Sequence, residues 1–215
     1  MKRTDTKKMV LLAMISAMAF LMVALIRIPV VLFLSYEPKD VIITIGGFIL
    51  GPAAAFLSSL VVSLIEMFTL SDTGIIGAVM NLLSTCSFAC TAAFIYKKKH
   101  TITGAIAGLA AGSVCMISIM LLWNYLITPL YMGVEREVIS GMLIPAFLPF
   151  NALKAGFNSA LTLALYKPVV NALRRARLLS AQPKKSANSK WGIYLLAAAL
   201  LATCVLLLLV LRGIL

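Results

Sequence analysis

The sequence predicts an all-α integral membrane protein: six core helices plus one extra C-terminal transmembrane helix, with the N-terminus cytoplasmic. Three observations carry this. The 215 residues are 62% hydrophobic and only 12% charged, whereas soluble domains run nearer half apolar and a quarter charged. The apolar residues gather in long runs, several near the 20 or so that a bilayer-crossing helix needs. The net charge of +12 comes mostly from short basic clusters between those runs. That is the pattern of cytoplasmic loops, and it argues against nucleic acid as a partner.

The elements follow in order. Helix 1 is expected from about Lys8 to Arg27, behind the basic start Lys2, Arg3, Lys7 and Lys8. The next segment, "IPVVLFLSYEPKD", contains Pro29 and Pro38, which prevent a continuous helix. Asp40 to Leu50 is apolar but too short to span alone. Gly51-Pro52 then breaks the chain before a third helix from Ala53 to about Leu70, so helices 2 and 3 form a hairpin. Helix 4 covers roughly Ile75 to Tyr96 and helix 5 Ile102 to Ile127. After the loop "TPLYMGVEREVISGM", helix 6 runs from about Leu143 to Tyr166, followed by basic sequence from Lys167 to Lys190. The division is a six-helix membrane domain over 1–175, a basic cytoplasmic linker over 176–190 and the additional helix over 191–215. The first apolar run, Met9 to Ile28, lacks a clear small-residue cleavage site and reads as a span, not a signal peptide.

Charge sets the orientation. Fourteen Lys and Arg fall in segments 2–8, 97–99 and 167–190, against four (Arg27, Lys39, Arg136 and Arg212) in the alternate segments. The N-terminus and the end of helix 6 are therefore expected inside. The nineteenth basic residue, Lys154, lies within a span. An ammonium at a helix centre costs about 2.5–3.5 kcal/mol on translocon scales, so something must offset it.

At 100° per residue, Asn151, Lys154 and Asn158 fall on one stripe of helix 6. Such a stripe suggests a cavity wall; for Asn158 alone, hydrogen bonding between helices serves equally well. Helix 3 carries Ser59, Ser63 and Glu66, and helix 4 carries Asn81, Ser84 and Thr85. Glu66 is either the counter-charge of Lys154 or hydrated near the outer surface, and it counts among the candidate binding residues. Asn124 lies at the outer end of helix 5 between Trp123 and Tyr125, where aromatics anchor at the interface and an amide can read a ligand's edge. The stripe opens toward the outer half of the bilayer beneath the loops at 28–39 and 128–142. That is a pocket with two lids, suited to an aromatic or heterocyclic solute.

Ala13 and Ala17, with Ala24 a heptad further on, make a small-residue face on helix 1. Gly104, Gly108 and Gly112 make another on helix 5. Both permit close helix approach. The glycines are read as internal packing; the alanine face could equally serve another protein. Cys86, Cys90, Cys115 and Cys204 all lie in apolar segments with no histidine nearby, and read as packing residues, not a zinc site. The chain has no P-loop, H-E-x-x-H or G-x-S-x-G, which argues against an enzyme. No inverted repeat stands out, which weakens a secondary-transporter reading.

Three stretches together resemble the substrate-binding S components of energy-coupling factor (ECF) transporters, and most closely their riboflavin-specific branch. They are the Ala13/Ala17 face, the lid loop leading into "KDVIITIGGFILGPAAAF", and "NYLITPLYMG" followed by "LIPAFLPFNALKAG". The similarity covers roughly residues 8 to 175 and implies a bacterial, multi-pass cell-membrane protein. It implies riboflavin as transported ligand, not cofactor, with Lys154, Asn124 and Asn81 hydrogen-bonding it and Asn151 on the same stripe. Tyr36 and Asp40 would close over it, although Asp40 could instead cap helix 2. Ala13 and Ala17 would dock on a transmembrane T protein that couples to two ABC-type ATPases. The alternatives are another vitamin or flavin analogue (FMN, roseoflavin, thiamin or biotin) on the same fold, or a stand-alone carrier. The seventh helix departs from the six-helix pattern.

Overall fold

The computed structural model describes residues 3–31, 34–70, 74–176 and 191–211. Helix α1 spans Arg3–Leu25. A two-stranded antiparallel ribbon follows, β1 (Ile28–Val31) and β2 (Leu34–Tyr36), pairing Ile28 with Tyr36 and Pro29 with Ser35. The sequence predicted only that no helix continues here. Pro29 is tolerated in a short, isolated ribbon because neither strand lies between two others, while Pro38 falls beyond the ribbon, at the N-cap of the next helix.

Helices α2 (Lys39–Leu50) and α3 (Pro52–Thr69) form the expected hairpin. Gly51 joins them at φ 101°, a left-handed conformation that glycine adopts without strain, and Pro52 starts α3 with its φ already helical. At 12 residues, α2 is only about 18 Å long. It is buried along nearly its whole length and packs against α1, α3, α4 (Gly74–Lys99) and α8 (Leu148–Arg175). The core is thus assembled around a helix too short to cross a bilayer. Its two glycines let neighbours come close: Gly46 faces Ile15 of α1, and Gly47 faces Ala55 and Ala93.

Helix α5 (Ile102–Leu126) starts at an N-cap, Thr101, whose side chain accepts the Gly104 N–H. It packs on α4 through the predicted glycine series. A Cβ on Gly108 would lie 2.7 Å from the Ala92 carbonyl oxygen, and one on Gly112 2.6 Å from that of Phe88.

The loop expected over 128–142 instead holds two short helices, α6 (Thr128–Met132) and α7 (Arg136–Met142). A π turn, Leu143–Phe147, leads into α8, Leu148–Arg175. Pro145 has no N–H to give to a helical ladder, which accounts for irregular backbone at this point. At its far end α8 does not stop at Tyr166. It runs on through Pro168 to Arg175, with Val170 still buried. All of the expected linker but Ala176 lies outside the described residues, as does Arg212.

Helix α9 (Trp191–Leu211) packs along α8. By length and composition, α1, α3, α4, α5 and α8 with its leading segment can each cross a membrane. Near the α8 end that lies away from the ribbon, Phe48 stacks on Tyr96 with ring centres 4.5 Å apart. The Tyr96 and Tyr166 hydroxyls share a hydrogen bond of 2.6 Å there.

Candidate functional site

Between the ribbon and the ends of α3, α4, α5 and α8 lies a cavity of about 420 Å³, within the range typical of small-molecule sites. Asn81, Asn124, Asn151, Lys154 and Glu66 all line it, on four different helices. Met80, Met120, Phe150 and Tyr131 supply apolar wall, while Arg27, Leu34, Ser35 and Glu37 close the ribbon side. A chamber that combines apolar wall with convergent amides, the Lys154 ammonium and charged groups on its ribbon side can enclose a flat aromatic solute and hydrogen-bond its polar edge.

Tyr36 and Asp40 stand behind the wall instead of on it. Asp40, fully buried in the first turn of α2, does not cap that helix through its side chain. Its carboxylate lies 3.3 Å from Lys154 Nζ, accepts the Thr85 hydroxyl at 2.6 Å and accepts Asn158 Nδ2 at 3.1 Å. Tyr36 donates its hydroxyl to Asn158 Oδ1 at 3.2 Å. Burial, then the nearby Asp40 charge, pushes the Tyr36 phenol far above its ordinary range, so it stays a protonated donor. Lys154 also donates to Ser84 at 3.1 Å. What keeps an ammonium within this apolar helix is thus a carboxylate from α2 and a hydroxyl from α4.

Glu66 fits neither sequence expectation. It is buried, and its charge partner is Lys39, whose Nζ lies 2.7 and 2.6 Å from its two oxygens. Asn81 Nδ2 donates to the same carboxylate at 3.0 Å. Lys39 counted in the sequence as a loop charge, yet it is 1% exposed and also pairs with Glu37 at 2.9 Å. Arg27 joins at the rim, 2.9 Å from the other Glu37 oxygen. Burial raises the Glu37 pKa, but Lys39, Lys154 and Arg27 more than offset this and hold it below its ordinary value. Three cations and three carboxylates therefore balance around the chamber. Sequence reasoning missed Arg27, Glu37 and Lys39 as site residues. The available signal was the run "YEPKD", three charges within four positions of an otherwise apolar chain.

The remaining amides are positioned locally. Asn124 Nδ2 bonds the Met120 carbonyl at 2.8 Å, and its oxygen accepts Thr128 at 3.0 Å, pinning the start of α6 to α5. Asn151 Nδ2 bonds the Phe147 carbonyl at 2.8 Å, satisfying an acceptor at the end of the π turn. Ala13 and Ala17 are not among the residues lining the cavity and are exposed on α1 with Met14, Met18 and Leu21.

Comparison with known proteins agrees with this architecture. The family model "ECF transporter, substrate-specific component" matches residues 7–166. Riboflavin transporter RibU of Staphylococcus aureus (strain TCH60) is 28% identical over 181 residues, 80% of this chain and 94% of that protein. Riboflavin transporter FmnP of Bacillus subtilis (strain 168) is 27% identical over 160 residues, 69% of this chain and 84% of that protein. A solved structure of the S component of a bacterial ECF transporter matches with a TM-score of 0.67 at 28% identity, covering 80% of this chain and 99% of that one.

Proposed function

Since this chain belongs to the substrate-specific components of ECF transporters, we propose that its cavity captures riboflavin at the outer face of the membrane. The single observation that carries this reading is the convergence of Asn81, Asn124, Asn151 and Lys154 on one chamber of about 420 Å³. The names of the two riboflavin transporters it resembles support the choice of ligand. Lys154 and the three asparagines hydrogen-bond the flavin edge or ribityl hydroxyls, while Met80, Met120 and Phe150 pack on the rings. Tyr36 and Asp40 act one step back, holding Asn158 and Lys154 in place, and Glu66 orients Asn81.

Proteins of this family capture and hand over solutes, working with a T protein and ATPase modules. For this chain we place the contact with the T protein at Ala13 and Ala17, on the exposed face of α1. The N-terminus is cytoplasmic in this reading, and the domain division is 1–175, 176–190 and 191–215. Release inside is driven by ATP hydrolysis on two partner ATPases.

The test is an absorption spectrum of the purified protein in detergent, followed by riboflavin titration against tryptophan fluorescence. Flavin bands, or saturable quenching at low micromolar riboflavin or below, support the reading. A protein that ignores riboflavin but binds another vitamin, such as thiamin or biotin, keeps the family and overturns the ligand. Uptake by cells that lack the ATPase partners would overturn the dependence on them.

A further inference from the structure

Helix α9 lies beyond the residues matched by the family model, yet it is seated specifically. Gly156 of α8 faces Cys204, and a Cβ at position 156 would collide with the Cys204 sulfur. Among the described side chains of α9, Ala197 and Cys204 are the buried ones and most others are exposed. Ala197 joins the apolar cluster containing Leu163 of α8, whereas Leu207 and Leu208 pack against the cluster containing Phe150 and Leu153. The later part of α9 thus meets the earlier part of α8, and the two helices run antiparallel.

That second cluster includes Val30, Leu34 and Tyr36 of the ribbon, and α9 touches β1 directly. The ribbon is also cavity wall, through Leu34 and Ser35. A two-stranded ribbon is marginal without support, and here its support comes from α7, α8 and the last turns of α9.

We infer that α9 is a positioning strut: the Cys204 seat against Gly156 sets its register on α8 so that Leu207 and Leu208 brace the β1–β2 ribbon, and a braced ribbon slows escape of the ligand from the cavity. Retention of ligand rests on the flavin reading above; bracing of the ribbon does not. Affinity changes among variants of one site fall mainly on the dissociation rate, so the effect belongs there.

The experiment uses the full chain in detergent. Leu207→Ala with Leu208→Ala trims the brace, Gly156→Leu unseats the helix, and Leu206→Ala, on an exposed position of α9, is the control. Two quantities are read: riboflavin dissociation by stopped-flow tryptophan fluorescence, and amide hydrogen exchange of residues 28–36. We expect dissociation about tenfold faster in the double variant, faster ribbon exchange in both brace variants, and neither change in the control. Should one variant not fold, the other decides. Unchanged ribbon exchange overturns the strut whatever the dissociation rate does. Faster exchange with dissociation within about twofold of wild type overturns its role in retention. If the unaltered protein binds no riboflavin, the flavin reading falls, and ribbon exchange alone decides whether α9 is a brace.

Discussion

Lys154 Nζ lies 3.3 Å from Asp40 Oδ2, tying the middle of α8 to the first turn of α2. The same carboxylate takes Thr85 of α4 and Asn158 of α8. Three helices and the lysine midway along the sixth predicted span therefore meet on one aspartate. Removing one member of such a pair leaves a buried charge without compensation, at a cost of about 3–5 kcal/mol, whereas removing both can be nearly neutral.

Accordingly, Lys154→Met or Asp40→Asn alone should lower thermal stability in detergent sharply. The double variant should lose less than the sum of the two. Strict additivity of the melting shifts would show that the two groups do not interact.

Glu37 sets a pH response. Burial raises its pKa, and Lys39, Lys154 and Arg27 lower it by more, leaving it below 4.5. A carboxyl with a folded-state pKa below its unfolded-state value binds more protons unfolded in the interval between them, so stability rises with pH there. The contribution is complete above that ordinary value and is lost as pH falls through the folded-state one. Melting temperature measured from about pH 5 down to about pH 3 should therefore fall more steeply for wild type than for Glu37→Gln. Parallel curves would contradict this.

Gly112 permits α5 to approach the α4 backbone, and a Cβ there meets the Phe88 carbonyl oxygen at 2.6 Å. Gly112→Val should destabilise the protein by about 1–3 kcal/mol, as overpacking does. An unchanged melting temperature would place the α4–α5 contact elsewhere.

The helices were legible because apolar run length and basic clusters are properties of local sequence. The polar stripe on α8 was legible for the same reason, since Asn151, Lys154 and Asn158 recur at helical spacing. Their partners were not. Asp40 and Glu66 are separated from the lysines they pair with by whole helices or by a tight hairpin, and only packing decides which carboxylate meets which ammonium. Lys39 resembled an exposed loop charge because it follows Pro38, although the short α2 draws it completely into the core. The ribbon at 28–36 and the π turn at 143–147 escaped notice because prolines announce where a helix fails without saying what replaces it.

If the exposed face of α1 is the docking face proposed above, changes there separate binding from transport. Ala13→Trp and Ala17→Trp add bulk where no core residue is touched, so riboflavin binding in detergent should stay as in wild type. Vitamin uptake in cells carrying the partner proteins should be lost. Normal uptake with both tryptophans in place would move the docking face away from α1.

The most direct measurement of the central claim is a riboflavin titration of the Lys154→Met, Asp40→Asn double variant beside wild type, by tryptophan fluorescence. Removing both charges together leaves neither orphaned, so in a variant that stays folded a loss of binding reports the Lys154–Asp40 pair at the cavity and not collapse of the fold. The expected result is a folded protein whose Kd for riboflavin is weaker by about tenfold or more. A folded double variant that binds riboflavin as wild type does would contradict it.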